Sequence, residues 1–289
     1  MRALTVRLLS LLAALGVGVA GCGDAGPPLS QGTTTLSPSP GPSSGPSSAP
    51  SPDATPATSS PPGTSPPPSA PPSSAQAEPG PAETLVGGRY QPLWPFSSPR
   101  EVAAWQREYR ASGHQPWHLD ARLTAVAFSR DFLGFSGIDR AVKTVTDGPH
   151  ARVHVGFRSD DASRPMVAAV VHLMRYGSGE DAPWEVVGTD DTTLSLTKPA
   201  YGAAVRSPVT VGGRVTGVDE SIRVQVRHPG SEAPVGERCC LSAGGEDAPW
   251  SARVTFTGRQ GRTLTIVAST GGHIAEVERF AVTGVTAPS

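Results

Sequence analysis

The first 89 residues contain no Phe, Trp or Tyr; the first aromatic residue is Tyr90. A segment so poor in large apolar side chains cannot bury enough surface to offset its ordering entropy, which excludes a packed domain from that part of the 289-residue chain. Lysine is almost missing, with only Lys143 and Lys198 beside the arginines. No basic run occurs and the formal net charge is −1, which argues against nucleic acid as a partner. Cysteine is scarce too: three residues are too few for a disulfide framework and show no C-x-x-C spacing for zinc or dithiol chemistry. Catalytic signatures are absent in the same way. Gly134-Phe135-Ser136-Gly137-Ile138 falls short of G-x-S-x-G because Ile138 stands where the last glycine belongs. There is no H-E-x-x-H and no glycine-rich phosphate loop. His150 and His154 would lie ~13 Å apart along a strand, and Pro116 prevents His114 and His118 from sharing a helix face. Asp190-Asp191 reads first as a solvated turn and second as a carboxylate pair at a pocket mouth. No catalytic, cofactor-binding or metal-ligating residue is assigned, and the expectation is a protein that is not an enzyme.

What is present begins with an address. Arg2 and Arg7 make a basic start, and Leu8 to Ala20 is an apolar run too short for a comfortable membrane span, as in a secretory signal. The run ends in Val19-Ala20-Gly21-Cys22, which resembles the lipobox of bacterial lipoproteins. That resemblance implies a signal peptide over 1–22, lipidation of Cys22 and attachment to the extracytoplasmic face of the cell membrane. An ordinary signal peptide with an incidental Cys is the alternative. From Ser37 to Glu83, 47 residues include 16 Pro and 13 Ser, so 23–84 is expected to be a disordered, partly polyproline II linker. About 205 residues remain, enough for two modest domains.

Residues 85–199 are expected to form an α+β domain. Ser98-Pro99-Arg100-Glu101 predicts a helix start with Ser98 as N-cap and Glu101 closing a capping box; Val102, Trp105 and Tyr109 follow at helical spacing, and Gly113 ends the run. A second helix is predicted after Asp120, with Leu123, Val126, Ala127 and Phe132 on its apolar side and Gly134 as its stop. Then the period changes to two. Val153, Val155 and Phe157 alternate with Arg152, His154 and Gly156, Met166 to Tyr176 reads as a longer strand, and strands are predicted from Trp184 and over 193–197. The stretch VVHLMRYGSGEDAPWEVVGTDD resembles the closing hairpin of NTF2-like or cystatin-like domains, in which helices pack on a curved antiparallel sheet. Some such domains are enzymes; others only bind or dimerise.

Residues 200–289 read as all β. Two strands are predicted to meet near Gly217-Val218-Asp219-Glu220, with Ile222, Val224 and Val226 facing one way; Val254 and Phe256 point inward from a later strand. Six or seven short strands suggest a β-sandwich. SPVTVGGRV, APWSARVTF and VERFAVTGV resemble the immunoglobulin-like domain of bacterial spore germination proteins, called Gmad2, over about 203–285. The resemblance implies an accessory module on an exported lipoprotein and carries no catalytic residues. The 229–246 insert with Cys239 and Cys240 departs from it. Adjacent cysteines form only a strained ring, and in an oxidising compartment a vicinal disulfide and a pair of thiols both stay open.

The hexapeptide GEDAPW occurs at 179–184 and again at 245–250. Flanking residues do not match in register, which excludes a duplicated domain and leaves one turn used twice, with Trp184 and Trp250 capping hydrophobic cores. A glycan or peptide site on exposed Trp faces is the rival reading. Together these features point to a lipid-anchored, non-catalytic binding or adaptor module of the bacterial envelope, sporulation- or germination-associated by resemblance. Its partner is expected to be an envelope protein or a wall component. A cell-wall glycan-binding protein and a small enzyme using the α+β pocket are the alternatives.

Overall fold

The computed structural model describes residues 84–258 and 261–288. The signal segment, Cys22 and all of the linker before Thr84 lie outside the described residues. The described residues belong to one compact unit, built from two four-stranded antiparallel sheets with few helices.

Helix α1 (Pro99–Ser112) starts where the sequence places it. The Ser98 hydroxyl accepts the Glu101 N–H at 3.3 Å, Pro99 occupies the first turn, and Gly113 closes the end at φ 72°. Such caps satisfy groups that the helix itself cannot pair. The Glu101 carboxylate reaches one residue further than a capping box requires, accepting from the Ser97 N–H at 2.7 Å and the Ser97 hydroxyl at 2.6 Å. After a 3-10 turn (Pro116–Leu119), Asp120 caps helix α2 (Ala121–Ala127). That helix widens into a π turn over Phe128–Phe132, with the Leu133 N–H bonded to the Phe128 carbonyl at 2.9 Å. The buried face is therefore Ala121, Thr124, Ala125, Phe128 and Phe132. Leu123 is exposed and Val126 and Ala127 are only half-buried, which corrects the expected face: Ala121 and Ala125 fill the stripe against the core, and Leu123 lies about 200° around the helix from Ala121.

The first sheet runs β1 (Arg140–Asp147), β2 (His150–Phe157), β3 (Met166–Arg175) and β4 (Trp184–Asp190), in that order. Val153, Val155, Val171, Leu173 and Val186 face α2 and the rings of Phe128 and Phe132. The other face meets α1 through Val187, Tyr176, Val102 and Trp105. The outer edge of β4 is occupied: the Leu93 N–H bonds the Val186 carbonyl at 3.0 Å and the Val186 N–H bonds the Trp94 carbonyl at 2.7 Å.

The second sheet has the order β6-β5-β7-β8, from β5 (Val209–Arg227), β6 (Gly236–Val254), β7 (Thr263–Thr270) and β8 (Arg279–Thr286). The expected turn at 217–220 is not a turn. The strand continues through slips of register at 215–220, with Asp219 at φ 53°. Instead of six or seven short strands there are four among the described residues of this region, two of them 19 residues long. Only the second half of β5 pairs with β7. The first half bonds to 193–198 instead, with the Thr197 N–H on the Gly212 carbonyl at 3.0 Å and the Ser195 N–H on the Arg214 carbonyl at 2.9 Å. The expected strand over 193–197 is thus reduced to isolated bridges. A Cβ at Gly213 would stand 2.0 Å from the Ser195 carbonyl oxygen, so this crossing requires glycine. The long hairpin contributes to two layers, and Val211 and Val215 share one core with Ile222, Val224, Leu264, Ile266 and Val285.

At the bend, the buried Glu220 carboxylate pairs with Arg279, whose guanidinium also donates to the Thr216 carbonyl at 2.6 Å. A buried carboxylate left without that cation would be strongly destabilising. The outer edge of β8 is covered by 202–205, through the Gly202 N–H on the Gly284 carbonyl and the Thr286 N–H on the Ala203 carbonyl. The two sheets also touch. Val267, Phe280 and Val282 join the first sheet's core, and the Thr189 hydroxyl accepts the Val282 N–H at 2.9 Å.

Candidate functional site

Alternation on β2 and β3 sends valines into the core and leaves polar side chains on the opposite face. There His150 Nδ1 and His172 Nε2 lie 3.0 Å apart. The Tyr90 ring stands edge-on to both, 6.0 Å from His150 and 5.2 Å from His172. Tyr201 extends the group; its hydroxyl donates to the Val187 carbonyl at 2.9 Å and accepts the Gln91 N–H at 2.7 Å. Burial lowers the His172 pKa to about 4, with the Arg152 charge adding to the effect. His172 is therefore neutral near pH 7, and one hydrogen between the two imidazoles suffices. Arg152 Nε contacts both oxygens of Asp190, at 2.9 and 2.7 Å. Asp190 is thus an ion-paired carboxylate and Asp191 an exposed neighbour, not a joint pair at a pocket mouth. The cluster can hold and orient hydrogens, but its charges are spent on one another. Among the described residues no three His, Cys, Asp or Glu side chains are grouped to hold a metal ion.

The remaining histidines are separate. His118 is buried against Phe96, Trp105 and Trp117, and burial lowers its pKa to about 4. His114 is exposed, 3.9 Å from Glu108. His154 points the same way as His150 but does not join the His150–His172 contact. Ser136 sits exposed in the turn after the π segment.

The second place is built by the insert that departs from the expected pattern. On β6, Cys239 and Cys240 together oppose Arg223 of β5, because Ile222 pairs with Leu241 and Val224 with Arg238, leaving one residue of β5 against two of β6. This is a β-bulge, which re-aims side chains locally. Their sulfurs are joined as a vicinal disulfide. The disulfide walls a groove of about 360 Å³ that also draws Ser221, Arg223 and Gln225 from β5, Ser269 and Glu276 from around the β7–β8 connection, and Phe135 from the loop after α2. Glu237 ties Arg223 to Gln225, accepting from the amide at 3.0 Å. A further concavity of about 670 Å³ lies between the two halves of β6, lined by Arg238, Leu241, Ser251 and Arg253. Sequence reading missed both: the first is assembled from segments far apart in the chain, and the second depends on how the two halves of one strand approach each other.

Trp184 and Trp250 are only 4% and 5% exposed. A glycan site on their faces is therefore overturned: both rings are spent on the cores. Compared with known protein families, curated proteins and solved structures, the chain matches none.

Proposed function

We propose that the chain is a lipid-anchored, extracytoplasmic and non-catalytic binding and adaptor module of the bacterial envelope, which recruits an extended segment of another envelope protein along β6. One observation carries the docking surface. The outer edges of β4 and β8 are covered by 93–94 and 202–205, whereas those of β6 and β1 have no backbone partner among the described residues; the β6 edge is 19 residues long against 8 for β1. Unpaired N–H and C=O groups are a template for an added strand. The concavity between the halves of β6 gives a partner's side chains a place to enter. The anchor at Cys22, the Gmad2-like resemblance with its link to germination, and the NTF2-like or cystatin-like resemblance are parts of the same proposal. They support an exported accessory module. About 60 linker residues, if flexible, span roughly 45 Å root-mean-square, enough to search the space beside the membrane.

The test places a photo-crosslinking residue at Ser251 or Arg253 in cells carrying the full chain, with Val145 on the edge of β1 as control. A defined envelope-protein adduct from the β6 positions, reduced in Cys22→Ala cells, is the expected result. Adducts of equal yield from Val145, or none from β6, overturn the docking surface. A Cys22→Ala chain that stays in the membrane fraction overturns the anchor.

A further inference from the structure

We infer that the groove beside the Cys239–Cys240 disulfide is a binding site for a neutral sugar ring. The inference does not depend on the β6 docking edge, since it concerns a different surface and a different class of ligand.

The argument starts from what the groove offers. Arg223 uses part of its guanidinium on Glu237 and keeps further N–H donors. Glu276 is exposed and unpaired, which supplies a carboxylate acceptor. The hydroxyls of Ser221 and Ser269 can donate or accept. A ligand for this lining must both donate and accept, as a polyol does. Charge narrows the choice. Arg223 is matched by Glu237, and Glu276 adds a negative charge, so the groove does not favour phosphate or carboxylate ligands. It is too polar for an acyl chain.

The walls agree with that class. The disulfide, Phe135, Leu133 and Val277 give the groove apolar surface beside its polar groups. A pyranose has the same division, with hydroxyls at its rim and C–H groups on its faces. A volume of about 360 Å³ is at the small end of ligand sites and suits one or two rings. The bulge places the disulfide in this wall, since two residues of β6 there oppose one of β5.

The test uses the full chain in a zwitterionic, sugar-free detergent. N-acetylglucosamine, its β-1,4-linked tetramer and maltotetraose are titrated by calorimetry and saturation-transfer NMR, with alanine as a zwitterionic control. At least one sugar is expected to bind. Glu276→Gln and Arg223→Gln, both at exposed positions, are expected to weaken it about tenfold each, the scale of one hydrogen bond. Cys239→Ser/Cys240→Ser is expected to weaken it by about three- to tenfold, with unchanged circular dichroism and melting as the check on folding. Binding of alanine without any sugar, binding of nothing in the set, or sugar binding unchanged in both Glu276→Gln and Arg223→Gln overturns the site. Loss of sugar binding in these variants with β6 crosslinking intact would separate the two surfaces.

Discussion

The two copies of GEDAPW show what six identical residues do and do not determine. At 179–184 the hexapeptide is a loop that leads into β4; at 245–250 it lies inside β6 and kinks the strand. Three features are common. The leading glycine has positive φ, 90° at Gly179 and 119° at Gly245. The aspartate is clasped by an arginine from outside: Arg110 Nε to Asp181 at 2.5 Å, and Arg214 Nε to Asp247 at 2.7 Å. The tryptophan is buried. The differences come from the surroundings. Asp247 has φ 48° and its N–H bonds the Thr216 hydroxyl, so the second copy is held in a ladder with β5. The first copy has Gln106 of α1 donating to the Ser178 and Asp181 carbonyls, and no strand beside it until Trp184. A short motif thus sets a kink, a clasp and a plug, while its neighbours decide between loop and bulge.

The largest expected effect tests the plug. Trp184→Ala and Trp250→Ala should each cost ~3–5 kcal/mol, which lowers the melting temperature by roughly 6–20 °C. Thermal melts of both variants check it; a small change in only one would break the equivalence of the copies.

Next comes the residue that follows the motif. Glu185 is 0% exposed, accepts the Phe96 N–H at 3.0 Å and leaves Oε1 unpaired, whereas Ser251 in the second copy is exposed. Desolvation raises the Glu185 pKa well above its ordinary value. A carboxyl with a raised folded-state pKa binds more protons folded than unfolded. Its contribution is therefore complete below the unfolded pKa of ~4.5 and is lost as pH rises toward the folded value. Urea melts across pH 4 to 8 should show that decline, and Glu185→Gln should flatten it, by an amount of about 1–3 kcal/mol. The same slope in wild type and variant would mean that the charge is not the cause. His172 and His118, both lowered to about 4, act in the opposite sense: their contribution is complete above ~6.5 and is lost as pH falls toward 4.

Smaller again is the kink. Gly179→Ala and Gly245→Ala force a side chain into positive φ, and each should cost somewhat more than ~1 kcal/mol. Denaturant midpoints check this, and equal costs would show that loop and bulge demand the same backbone.

The smallest effect belongs to the clasp. Asp181→Asn should shift the midpoint more than Asp247→Asn, because Asp181 is the less exposed of the two and is held in two-point contact by Arg110. High salt should remove most of either difference.

Much of the fold is legible in local sequence. Ser98, Asp120 and Gly113 mark helix ends because capping uses neighbouring residues. Val153 and Val155, like Ile222 and Val224, show period two because one face of their strand is buried. β1 escaped because it is an edge strand exposed along most of its length, which erases alternation. The joining of β5 across 217–220 escaped because Glu220 is stabilised by Arg279, 59 residues away. The His150–His172 contact and the disulfide groove share that difficulty: their residues meet only through strand register and bulges.

The segment 84–96, where the described fold begins, has a mechanical consequence. The Thr84 carbonyl accepts the Tyr176 hydroxyl at 2.6 Å, Leu93 and Trp94 bond along β4, and Gln91 Oε1 accepts the Thr263 hydroxyl of β7 at 2.8 Å. If Cys22 holds the chain as proposed, tension from the anchor enters through this strap. The load is then divided between the two sheets before it can peel either one, so the module can hold a partner against a pull without its recognition surfaces bearing the first strain.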